Sequence, residues 1–106
     1  MLSFAIFGAL KAKEIRIESA PVWPDYVFEN HYQLRSLEQL QKYIISNGHL
    51  PDVPSAEEVA ISGIDVGEMN AILLQKIEEL TLYQLQLHQT INALQKEVQI
   101  LTNRKQ

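Results

Sequence analysis

Residues 65–102 read DVGEMNAILLQKIEELTLYQLQLHQTINALQKEVQILT, and this stretch decides the fold. Asp65 is placed to cap a helix, Glu68 stands at N3 to complete a reciprocal cap, and Ile64 at N′ can staple against Met69 at N4. No Gly or Pro follows from Glu68 to Gln106, so nothing breaks the helix once it starts, and Arg104 and Lys105 suit the negative end of its dipole. A helix from Val66 to about Thr102 would be roughly 55 Å long at 1.5 Å per residue.

Heptads place Val66, Leu73, Leu80, Leu87, Leu94 and Leu101 at d, with Asn70, Ile77, Gln84, Ile91 and Val98 at a. A head of about 65 residues has a compact radius near 11 Å. It cannot cover the distal half of so regular a seam, which requires partner helices. These eleven residues are the expected oligomer interface, with Asn70 and Gln84 as polar layers that penalise slipped registers. β-branched residues at a with Leu at d favour a parallel dimer. Against that, Met69 and Tyr83 at g, Leu74 at e, and Leu82 and Leu85 beyond them broaden the proximal apolar band, and Lys76 and Glu97 are the clear charges at e and g. The pattern alone leaves dimer and trimer balanced.

Upstream, Ser36 with Gln39 forms a capping box for a helix of about three turns carrying Leu37, Leu40 and Ile44 on one face. Asn47 and Gly48 end it before Pro51. Ser55 with Glu58 opens a second, short helix from Ala56 to about Ala60, closed before Gly63. Before these helices, Lys13 to Ser19 (KEIRIES) alternates polar residues with Ile15 and Ile17, which predicts a half-buried strand. Met1 to Leu10 (MLSFAIFGAL) reads as a strand or buried edge in preference to a targeting remnant, and also fits the cut end of an upstream region; it is about half the ~20 residues a membrane span needs. Pro21 to Asn30 reads as a packed loop with a short extended piece.

The expected fold class is therefore α+β. Residues 1–10 are an apolar lead, 11–64 a small head of short strands, aromatic loop and two short helices, and 65–106 a long C-terminal helix forming a parallel oligomeric coiled coil.

The 106 residues carry 9 Lys and Arg against 13 Asp and Glu, for a net charge of −4. That balance offers no basic field for a nucleic-acid backbone. No segment is long enough for membrane insertion, and the absence of Cys removes disulfides, thiolate metal sites and cysteine nucleophiles. His31, His49 and His88 are too scattered for a metal set. Glu57 with Glu58, and Glu78 with Glu79, are sequence neighbours that point to different sides of a helix, and read as surface charge. Ser55, His49 and Asp52 share one loop region, but Ser55 is engaged as a cap and no nucleophile elbow surrounds it. Gly63 and Gly67 lack phosphate-loop spacing. No catalytic residue, cofactor or metal is expected. Trp23, Tyr26, Phe28, Tyr32 and Tyr43 form either the head core or a ligand-stacking patch.

The ordered set WPDYVF (23–28), YQLRSL (32–37), GHLP (48–51), VPSA (53–56), GIDVGEM (63–69) and KIEELTLY (76–83) resembles the C-terminal end module of large bacterial surface and tail-fibre-like proteins, over about Lys11 to Leu94. That resemblance implies a terminal module following a fibrous region, at the cell surface or on a virion-like particle. A lesser similarity links the chain to the intramolecular chaperone domains that end phage tailspikes and trimerise them. The self-cleaving members use a Ser-Asp context followed by Lys, and no Ser-Asp pair occurs in this sequence. The similarity implies trimerisation without autoproteolysis. The combined expectation is a non-enzymatic homotrimeric assembly module, with a homodimer as the other oligomeric state. The alternative is an adhesin-type module whose aromatic head binds a glycan or protein.

Overall fold

The structure, a computed structural model, describes residues 3–18 and 22–104. Its elements in chain order are a 3-10 turn at Tyr26–Phe28, α1 at Leu37–Asn47, α2 at Ala56–Ser62 and α3 at Val66–Arg104. Helix accounts for 61% of the described residues and no strand forms among them, so the fold is all-helical and the α+β expectation is corrected.

The helix boundaries follow the caps. Ser36 Oγ accepts the Gln39 N–H at 3.1 Å while Gln39 Oε1 accepts the Ser36 N–H at 3.0 Å. Gly48 takes the left-handed conformation at φ 75° and closes α1 by donating to the Ile44 carbonyl. Ser55 and Glu58 form the same reciprocal pair at the start of α2, which runs to Ser62, two residues past the expected end. At α3, Asp65 Oδ1 accepts the Glu68 N–H at 3.0 Å. The return bond from the Glu68 carboxylate is not made among the described residues, so this cap is half the expected box. α3 then runs 39 residues without a break.

The strand expectation for Lys13 to Ser19 fails for want of a partner. Two short runs make at best a marginal two-stranded ribbon, and Gly8 at φ 147° bends the first of them. Residues 11–18 are exposed irregular chain, and Ser19 lies outside the described residues. Ile17 packs on α3 instead: a Cβ added at Gly67 would lie 2.9 Å from Ile17 Cγ2. The N-terminal run is not a buried edge either, since Phe4 and Phe7 stand almost wholly in solvent; Met1 and Leu2 lie outside the described residues. Within Pro21 to Asn30, expected as a packed loop with a short extended piece, Tyr26–Phe28 is a 3-10 turn docked on α3; Pro21 lies outside the described residues.

The molecule measures 76 × 31 × 29 Å with a radius of gyration of 20.9 Å, against about 13 Å for a compact domain of 100 residues. Its interior is correspondingly thin. Val27, Pro24 and Pro51 are fully buried, and Ala71 and Tyr83 nearly so. The sequence is 46% apolar, yet most large aliphatic side chains among the described residues are exposed.

Candidate functional site

Two faces of α3 have opposite environments. Gly67, Ala71 and Glu78 are buried and Leu74, Gln75 and Leu82 half-buried, forming a stripe that carries the head. All eleven seam residues lie on the other side, and every one is exposed. The nine apolar ones (Val66, Leu73, Ile77, Leu80, Leu87, Ile91, Leu94, Val98, Leu101) keep between 46% and 60% of their surface in solvent, while Asn70 and Gln84 interrupt the row as two polar layers. No helix among the described residues is long and apolar enough to cross a membrane.

The head is fixed to α3 by polar contacts that reach across the chain. Tyr32 donates its hydroxyl to Glu79 Oε2 at 2.5 Å and accepts from Gln75 Nε2 at 3.1 Å. Lys76 Nζ bridges Glu79 Oε1 at 2.9 Å and Asp52 Oδ2 at 3.4 Å. Tyr83 donates to the Arg35 carbonyl at 2.7 Å. Burial and the hydrogen bond to the Glu79 carboxylate push the Tyr32 hydroxyl up to about 12. Tyr83 is raised by burial and by the charge of Glu79, with Arg35 opposing.

Glu78 is the buried acid of this contact. It is 6% exposed, and its Oε1 has no hydrogen-bond partner. Burial raises its carboxyl above the ordinary range, and the facing carboxylate of Asp25 raises it further. Two acids thus meet where the docked turn touches the helix. Reading Glu78 and Glu79 as surface charge is corrected: both lie in the head interface. Glu78 stands one heptad after Ala71, on the face opposite the seam, and the wide apolar band including Leu74 and Leu82 was the available signal that this face is covered.

The five aromatics separate. Trp23 and Phe28 are 56% and 51% exposed, so they do not form the core. The turn buries Val27 between them instead, at 1% exposure. Tyr26 and Tyr32 are half-buried with ring centroids 5.8 Å apart. Tyr43 lies between the Arg35 guanidinium, 5.5 Å from its ring centre, and the edge of His49.

Two grooves flank the head. One, of about 460 Å³, is lined by Tyr43, His49, Asp52, Glu58, Asp65 and Glu68 among others. Beside it His49 Nδ1–H donates to the Leu50 carbonyl at 2.8 Å, and Ser55 Oγ is held in the cap with Glu58. His49, Asp52 and Ser55 therefore make no relay, and no group of three or more metal-ligating residues is assembled among the described residues. The other groove, of about 370 Å³, is apolar, with Leu40, Leu50 and Pro51 on the head side and Leu73, Ile77 and Leu80 on the helix side. At its edge the charges of Lys76 and Glu79 pair.

Comparison with known proteins finds no matching family model, no matching curated protein and no matching solved structure.

Proposed function

We propose that the chain is a non-enzymatic assembly module that trimerises through α3 and registers the end of a fibrous surface or tail-fibre-like protein. The observation that carries this reading is the exposed seam from Val66 to Leu101, nine aliphatic residues with two polar layers among them. At about 25 cal/mol per Å² of apolar surface, nine large aliphatic side chains half in water, on the order of 900 Å², forgo on the order of 20 kcal/mol, part of which association would recover. A single chain with so few buried side chains has little other source of stability. Asn70 and Gln84 would each sit beside their own copies in a parallel, in-register bundle, which favours one alignment. The ionic pairing usual at the flanks of dimers is sparse along the proximal half, because Lys76 is drawn into the head. That supports three strands over two.

The second reading, an adhesin-type head that binds a glycan or protein, rests on the exposed rings of Trp23 and Phe28. In that case the coil supplies avidity.

Light scattering on the full chain at micromolar concentration tests the proposal. A trimer has about 36 kDa, three times 12.1 kDa. A monomer overturns the assembly reading, and a stable dimer retains assembly while removing the fibre analogy.

A further inference from the structure

Building on the assembly reading, we infer that the apolar groove between Leu40, Leu50 and Pro51 of the head and Leu73, Ile77 and Leu80 of α3 is the seat for α3 of a second copy of this chain. Three of its lining residues are seam layers of the same helix. A helix laid along the seam at this level therefore abuts the head wall.

The wall replaces a missing flank. In an ordinary parallel coil, residues at g meet those at e of the neighbour. Here Met69, Lys76 and Tyr83 occupy g in the proximal half, and the chain's own head engages two of them. Lys76 bonds Asp52 and Glu79, and Tyr83 bonds the Arg35 carbonyl. Leu50 and Leu40 then offer the surface that a neighbour would otherwise find at g. The groove suits an apolar helix, since its flanking charges are paired with each other.

The available surface matches a second copy. Nine aliphatic side chains about half exposed supply on the order of 900 Å² per chain, against about 800 Å² per partner in a standard interface. The head wall also adds a registration device. A slip of one heptad displaces the helices by about 10.5 Å, which would carry the neighbour's matching residues away from Leu50. Asn70 and Gln84 penalise the same slip from within the seam.

The chain has no cysteine, so cross-links can be placed freely. In a parallel in-register assembly Thr81, at e, faces the g flank at position 76 of its neighbour. Leu50→Cys in one tagged copy and Thr81→Cys in a differently tagged copy are mixed, refolded together and oxidised, with light scattering on the same sample. The expected result is a covalent species containing both tags in an oligomeric sample. An oligomer of parental mass that yields no mixed species overturns the head groove as the seat while leaving assembly through α3 intact. A monomeric mass overturns both. An independent measurement compares Leu50→Glu with Ile45→Glu, a charge placed on an exposed residue of α1 that does not line the groove. Leu50→Glu is expected to raise the dissociation constant at least about tenfold, with Ile45→Glu unchanged and helix content the same in both. Equal effects from the two variants would contradict the inference.

Discussion

Replacing Glu78 by glutamine is expected to stabilise the docked head near neutral pH, and the effect is expected to fade in acid. The Glu78 carboxylate is 6% exposed, one oxygen lacks a partner, and Asp25 faces it. A carboxyl raised above its unfolded value holds its proton more tightly in the folded chain. Its stabilising contribution is then complete below the ordinary carboxylate range and is lost as pH rises through the raised value. Once ionised, the buried carboxylate has no hydrogen-bond partner for Oε1 and faces a second acid. Glu78→Gln removes that charge and offers an amide N–H to Asp25. An unsatisfied buried polar group costs about 1–3 kcal/mol, and each kcal/mol moves the midpoint of a domain this size by roughly 4–8 °C. Thermal melts followed by circular dichroism near pH 4 and near pH 7 measure the effect. The expected result is a higher midpoint for Glu78→Gln near pH 7 and a smaller difference near pH 4. A lower midpoint at pH 7, or the same gain at both values, would refute the argument from the Asp25 and Glu78 pair.

Two further substitutions probe other contacts. Gln84→Ile is expected to raise the thermal midpoint by replacing a polar seam layer with a packed one; an unchanged or lower midpoint would mean that position 84 is not covered by a partner. Gly67→Ala is expected to push Ile17 off α3, because the new Cβ would stand 2.9 Å from Ile17 Cγ2. Limited trypsin digestion would then cut faster after Arg16 than in the parent, and an unchanged rate would show that Ile17 adapts in place.

Local chemistry made the helices legible in the sequence. Ser36, Ser55 and Asp65 each place an oxygen over a free N–H, and Gly48 and Gly63 accept a positive φ, so the starts and stops of α1 and α2 follow within two residues. The exposed seam follows from the same 3.5-residue spacing that places Leu at every d position but the first, which is Val66. The head was less legible because its contacts are distant in sequence. Tyr32 meets Glu79 across 47 residues and Tyr83 meets Arg35 across 48, and neither pair has a local signature. The alternation of Lys13 to Ser19 describes two faces of an extended chain but not a partner for its backbone, and without one Ile17 settles on Gly67 rather than in a sheet. Val27 was hidden by its neighbours: the large rings of Trp23 and Phe28 suggested a core, while the turn at Tyr26–Phe28 buries the smaller side chain between them.

In the proposed assembly, copies of this chain cover the seam of α3 in parallel and in register. Leu87→Cys tests it most directly, because position 87 is a d layer beyond the head and the chain has no other cysteine. Under mild oxidation efficient disulfide-linked pairs are expected, since each introduced thiol faces its own copy. A protein that stays unlinked under the same conditions, with its thiol freely reactive, would contradict the account.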